Sequence, residues 1–391
     1  EESNEPTATA NKASNGITSI ATHAVRYPAI YVGQFSNGDY GGGPENGGTP
    51  VSWLASKGYF TKPRTKASVN ARLDWKPIDG LVLSALGGYN FALNEQRHYR
   101  ASQRLSADLN LPLADLHQEK FNTVFKTMQF LGEYSKKMDK HSMKLLAGYS
   151  FENSRTEEFE GDRINFPSND YTVMAMGGVD NQEVTGNDLE WAIQSLFGRF
   201  KYSYADKYLF EATVRYDGSS RFPEDSKYGT FPSLAVGWRV AEEDFVKDAV
   251  PWMSNLKLKA SWGILGNQNI GNYPYQATLA TGKNYPFGSG ISNGAQYTTY
   301  KDPTIHWEET ETMDFGAETG FFDQKLTLNV TYFDRFTSDI LFKPSSSVSK
   351  VLGVGVSETN TGEVKNTGWE IELGHQNNLG DFSYQVQANY T

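Results

Sequence analysis

Cysteine is missing from this chain altogether, which excludes disulfide staples and thiolate zinc sites and leaves the redox compartment open. No run approaches 18 apolar residues, so no transmembrane helix is encoded, although barrel strands alternate and escape such a window. Basic stretches are lacking too. The net charge of −10 is spread along the chain, and no cluster of Lys, Arg and aromatics points to nucleic acid. Neither a starting Met nor a charged-then-apolar signal region precedes Glu1, so a mature piece or a fragment is expected. An end at Thr391, inside or just after a strand, favours the fragment.

Aromatics, by contrast, are abundant. They make up 14% of 391 residues, with 22 Tyr and 23 Phe, while the mean hydropathy is negative. A barrel with a wet interior and aromatic girdles reconciles the two. The strand pattern points the same way. Leu256, Leu258, Ala260 and Trp262 alternate with Lys257, Lys259 and Ser261. Phe210, Ala212, Val214 and Tyr216 alternate with Glu211, Thr213, Arg215 and Asp217, and Phe382, Tyr384, Val386, Ala388 and Tyr390 with Ser383, Gln385, Gln387 and Asn389. Strands of about 10 residues in this style are what a barrel needs to cross hydrocarbon with its backbone paired.

The predicted fold is therefore all-β, an antiparallel up-and-down transmembrane barrel segment over residues 67–391. Twelve strands are expected, at 67–76, 81–95, 122–136, 142–156, 191–204, 208–217, 231–241, 255–264, 309–321, 325–336, 366–376 and 382–390. Five tight turns join them in pairs: Pro77 to Gly80, Met138 to Lys140, Ala205 to Lys207, Phe322 to Gln324 and Asn378 to Asp381. A longer link over 242–254 predicts a helical turn around Phe245 and Trp252. Long loops lie near 100–120, 158–189, 218–229, 269–307 and 339–365. Tight turns on one rim and long loops on the other orient such a barrel, with the turns toward the periplasm. Tyr208 and Tyr216, eight residues apart, span roughly 19 Å of height, close to the lipid-facing band.

Residues 1–66 read as a surface loop excursion with two short helices. One runs through Ile17, Ile20, Ala21, Ala24 and Val25, and the other over 51–57 behind Thr49-Pro50. Gly41-Gly42-Gly43 and Gly47-Gly48 mark the loop between them.

The strand sequences resemble those of SusC/RagA-type TonB-dependent outer-membrane transporters. The resemblance rests on Tyr216-Asp217-Gly218-Ser219-Ser220-Arg221-Phe222, Lys227-Tyr228-Gly229, Phe231-Pro232-Ser233 and Gly237-Trp238-Arg239. It continues through Leu256 to Gly263, Gly266-Asn267, Trp307-Glu308-Glu309-Thr310, Tyr332-Phe333-Asp334, Thr337 to Leu341 and Asn366-Thr367-Gly368-Trp369-Glu370. It implies a barrel of 22 strands in the outer membrane of a Gram-negative bacterium, with a plug, a TonB-contacting segment and a SusD-like surface lipoprotein lid. Oligosaccharide or peptide would be the imported substrate. Neither a plug nor a TonB box is identifiable here, so roughly half a barrel is expected, with TonB engaged through the missing plug region.

Sites of chemistry are scarce. Gly353-Val354-Gly355 begins like a dinucleotide fingerprint, but Glu358 occupies the third glycine position, so no cofactor is expected. His23, His98, His117, His141, His306 and His375 show no i,i+4 pair, and no metal site is expected. Acidic clusters at Asp180 to Glu190 and at Glu224-Asp225 lack the spacing of a calcium cage. No nucleophile elbow or Ser/His/Asp set can be placed. Glu308-Glu309, or Glu370 and Glu372 about 7 Å apart on one face, could mimic a glycosidase dyad, but a polar lumen wall explains them better. No catalytic residue is assigned. The substrate-contact candidates are loop aromatics, on which sugars stack and peptides pack: Tyr285, Phe287, Tyr297, Tyr300 and Trp307 in one loop, Phe159, Phe166 and Tyr171 in another. Asp217 and Arg221, at a strand's outer end, join them. The rival readings are an extracellular all-β glycan-active enzyme or carbohydrate-binding module, and a passive porin.

Overall fold

A computed structural model of the chain describes residues 4–5, 16–42, 48–111, 114–344, 351 and 353–391. Gly43 and Gly47 of the predicted glycine-rich loop lie outside the described residues. Twelve long strands follow one another: β1 (Arg64–Ile78), β2 (Leu81–Arg100), β3 (Asp115–Met138), β4 (His141–Ile164), β5 (Glu183–Tyr204) and β6 (Tyr208–Ser219), then β7 (Tyr228–Arg239), β8 (Met253–Asn267), β9 (Glu308–Phe321), β10 (Leu326–Phe342), β11 (Thr359–Leu379) and β12 (Phe382–Tyr390). Each pairs with its neighbours in sequence, so the order in the sheet is the order in the chain. Two short strands, Tyr59–Thr61 and Asn4–Glu5, extend the sheet beside the end of β2.

Turn chemistry explains the meander. The tight connections use the left-handed region at Gly80 (φ 81), Asp139 (φ 48), Ala205 (φ 52), Asp206 (φ 55), Phe322 (φ 54), Asp323 (φ 56), Gln324 (φ 65) and Gly380 (φ 64). Such turns match the right-handed twist of the strands they join. The β7–β8 link instead holds a single 3-10 turn at Val240–Glu242 and a helix, α3, at Asp244–Ala249. At the opposite strand ends the expected boundaries fall short. β3 and β4 each run to 24 residues, and β5 to 22, far beyond the ten that a bilayer requires. Polar sequences such as Glu157-Glu158-Phe159-Glu160 pair as readily as apolar ones, because ladder hydrogen bonds come from the backbone.

The chain forms two compact units. The first gathers Glu1–Asn70, Gly88–Lys126 and Ser154–Glu190. It holds helices α1 (Gly16–Arg26) and α2 (Pro50–Leu54), where the two helices were expected, with Thr49 and Ser52 closing a capping box and Pro50 in the first turn. Its largest buried cluster joins Tyr99, Ala101, Ala114, Leu116 and Phe166. The second unit gathers Ala71–Gly87, Thr127–Asn153 and Trp191–Thr391, and its buried cluster joins Phe222, Phe231, Ile305 and Trp307. Both clusters lie at strand ends and under loops. The apolar stripes of the strands contribute almost nothing to them.

Candidate functional site

Register turns the alternation of each strand into continuous rows across the sheet. On one face Tyr202, Phe210, Val236, Ala260, Phe315, Tyr332 and Trp369 stand side by side over seven strands. On the other face Lys259, Gly316, Thr331 and Glu370 form one row, and Lys257, Glu318, Asn329, Glu372 and Asn389 the next. The apolar face stays open: Val236 is 52% exposed and Trp369 57%. An aqueous protein does not leave a seven-strand apolar row uncovered, whereas hydrocarbon chains cover it without cost.

The polar face is a web of paired charges. Lys201 Nζ lies 2.9 Å from Glu211 and Lys144 Nζ 2.7 Å from Glu133. Glu318 takes Lys259 at 2.9 Å and Lys257 at 3.4 Å. Gly316 gives Lys259 room, since a Cβ there would stand 2.7 Å from the lysine Cε. A cavity of about 730 Å³ opens on this face, lined by Lys144, Lys201, Glu211, Lys259, Asp314 and Arg335. Charges of both signs on a wet wall favour passage of polar solutes over tight binding of any one ion.

The turn-side rim carries an aromatic belt. Tyr204, Tyr208 and Trp238 follow one another with ring centres 6.3 Å apart at each step. Glu243, in the β7–β8 link, accepts hydrogen bonds from Tyr208 Oη at 2.7 Å, Lys207 Nζ at 2.9 Å and Trp238 Nε1 at 3.2 Å. Those three donors, Tyr208 foremost, pull its carboxyl down to about 2. At the far end of the same strands Tyr216 and Tyr228 stack with centres 5.0 Å apart. These rings sit where two membrane interfaces are expected.

The predicted contact residues separate into two groups. Tyr285, Phe287, Tyr297 and Tyr300 stand on the 268–307 loop, which folds as nested hairpins pairing Leu279–Thr281 with Ala295–Tyr297 and Tyr285–Phe287 with Gly290–Ser292. All four are exposed, as are Phe159 and Tyr171. Trp307 and Phe166 are buried instead. Trp307 packs against Phe222 and Phe231 and donates Nε1–H to the Lys227 carbonyl at 3.1 Å, and Phe166 meets Tyr99 edge-on. Asp217 is buried and bonded to Arg215 through both carboxylate oxygens. Arg221 lies over the Trp191 ring and donates to Asn272 and the Gln268 carbonyl, which ties the long loop to the β6–β7 loop. Trp307, Phe166 and Asp217 are thus buried against the protein itself, while Arg221 stays half-buried. The carboxylate pairs are likewise engaged: Glu308 accepts from Leu341 N at 2.7 Å, and Glu372 from Asn329 and Gln387. The polar wall itself was expected, but the sequence reading did not single out Lys144, Lys201, Asp314 and Arg335, whose proximity depends on register rather than spacing.

Comparison with known proteins agrees with this geometry. A family model described as TonB dependent receptor-like, beta-barrel matches residues 12–391. The chain belongs to that family. It is a TonB-dependent receptor barrel, one of a class of proteins of the Gram-negative outer membrane. Among curated relatives of this receptor, TonB-dependent receptor P39 of Formosa agariphila is 30% identical over 76% of the chain and 28% of its own length. TonB-dependent receptor SusC of Bacteroides thetaiotaomicron is 36% identical over 50% of the chain and 20% of its own length. The chain thus spans under a third of the relatives it matches. Among solved structures, the RagAB peptide importer in its closed-closed state superposes with a TM-score of 0.80 at 24% identity, covering 90% of this chain and 39% of that one. That likeness carries the fold.

Proposed function

We propose that this barrel segment, with residues 1–66 as a surface excursion and 67–391 as barrel wall, forms part of an outer-membrane importer that moves oligosaccharide or peptide. The carrying observation is the sorting of faces: an uncovered apolar row on one side of the sheet and a charged, cavity-bearing wall on the other. SusC supports the reading by family, and the RagAB peptide importer supports it by fold. Import would be energised by TonB through regions present in the longer relatives, with a SusD-like lipoprotein covering the long loops. The protein acts by binding and passage, without covalent chemistry. Tyr285, Phe287, Tyr297 and Tyr300 are the first contacts offered to a substrate, with Phe159 and Tyr171 beside the other long loop.

The test is uptake of labelled oligosaccharides and peptides by cells that carry the full-length gene and its neighbours. Accumulation that disappears on deletion of the gene and on collapse of the proton-motive force supports the reading. Uptake indifferent to the proton-motive force would make the protein a passive pore, and hydrolysis by the purified protein would make it an enzyme.

A further inference from the structure

Strand pairing collects one group of side chains that none of the transport features uses. His117 on β3 faces two carboxylates of β4: its Nδ1 lies 3.1 Å from Asp162 Oδ1 and 3.7 Å from Glu160 Oε1. Its Nε2 lies 2.8 Å from Glu119 Oε1 on its own strand. The donor atoms of His117, Glu160 and Asp162 all fall within 4.8 Å of one another.

A second buried histidine stands on the neighbouring strand β2. Contacts between Glu95 and Lys120, Gln96 and Glu119, and Arg100 and Asp115 fix the β2–β3 register, which puts His98 directly opposite His117 on the same face. His98 is 7% exposed, and its Nε2 has no hydrogen-bond partner. A buried imidazole nitrogen without a partner is destabilising, so its retention beside His117 calls for an occupant. All these residues belong to the first compact unit.

We infer that His117 Nδ1, Asp162 and Glu160 form a binding site for one divalent transition-metal ion of the zinc class, with the unpartnered Nε2 of His98 on β2 able to swing in as a further ligand. Two tetrahedral ligands at about 2.05 Å from a metal stand about 3.3 Å apart, close to the two Nδ1-to-carboxylate spacings. Glu119 completes the arrangement. By accepting the Nε2 proton it fixes the His117 tautomer and turns the Nδ1 lone pair toward the two carboxylates, as outer carboxylates do for metal-bound histidines. Imidazole mixed with carboxylate suits zinc, cobalt or manganese better than calcium. The ion would pin β2, β3 and β4 together near their outer ends.

The test uses the full-length protein, stripped with chelator and titrated with Co²⁺ and Zn²⁺. One equivalent of Co²⁺ with a visible absorption band, displaced by one equivalent of Zn²⁺, is expected. His117→Ala and Asp162→Asn should abolish the band, and Glu119→Gln, which keeps every ligand, should weaken binding 10- to 100-fold. A heat-modifiable gel shift checks that each variant still forms a barrel, and Lys126→Ala, an exposed change elsewhere on β3, should bind as the parent does. No stoichiometric Co²⁺, or Co²⁺ bound equally by folded His117→Ala, would overturn the assignment.

Discussion

Adjacent residues on one strand should respond oppositely to the same charge. Leu234 and Ala235 are neighbours on β7. Leu234 is 46% exposed on the apolar face between Ala212 and Trp262, while Ala235 sits between Glu211 and Ser261 on the wall of the cavity. Leu234 is four residues above Trp238 of the turn-side belt and six below Tyr228, about 9 Å and 14 Å of height on a tilted strand. It lies near the bilayer midplane. An arginine there costs about 2–4 kcal/mol, which is roughly 30- to 900-fold in the folding equilibrium. Arginine at 235 instead points at water, with the Glu211 carboxylate on one side and Asp314 nearby, and should cost about 1 kcal/mol or less. The assay is urea unfolding of the full-length protein in vesicles, followed by heat-modifiable migration. A lower midpoint is expected for Leu234→Arg and near-parental behaviour for Ala235→Arg. The reverse order would show that the apolar row is an interior face, and the membrane assignment would fall with it.

How much of this was legible beforehand follows from what carries each feature. Strand alternation and turn residues are local, so Leu256 to Trp262 announces a two-faced strand, and the Asp and Gly turns announce the meander. The outer extensions of β3, β4 and β5 were missed because their sequences are polar on both faces and leave no period to read. The fates of the aromatics also split along physical lines. Tyr285 and Trp307 look alike as loop aromatics, yet Trp307 enters the buried cluster with Phe222, Phe231 and Ile305 while Tyr285 caps an exposed hairpin. That choice depends on contacts between loops far apart in sequence. The His117 group was invisible for the same reason. Its members are 43 and 45 residues apart, joined only by the pairing of β3 with β4, whereas a helical zinc motif shows its ligands at fixed spacing.

Acid should loosen the turn-side rim. The Glu243 carboxyl is depressed from 4.5 to about 2, so its three hydrogen bonds stabilise the fold fully above pH ~4.5 and are lost as pH falls toward 2. Glu243→Gln should flatten that part of a thermal-stability profile against pH, and an unchanged profile would refute the role. Trp307→Ala should cost about 3–5 kcal/mol locally and open the 268–307 loop to protease while the barrel persists; equal resistance would show that the cluster does not hold the loop. Tyr285→Ala with Phe287→Ala should weaken substrate binding without moving the unfolding midpoint, and undiminished affinity would remove both from the contact set. The last expectation concerns edges. Among the described residues β12 pairs with β11 and β1 with β2, and no pairing joins β1 to β12. All fifteen residues of β1 are exposed, as are all but one of β12. Half the backbone groups of the nine-residue β12 face outward, so about four N–H and four C=O groups lack partners there. At several kcal/mol each in lipid, this exceeds the roughly 5–15 kcal/mol that stabilises a typical domain. Residues 1–391 produced alone should therefore aggregate or remain unassembled in the outer membrane, while the same residues within a longer chain of the relatives' length should assemble. A stable, heat-modifiable pore formed by residues 1–391 alone would mean that β1 and β12 close on each other, making the segment a complete smaller barrel.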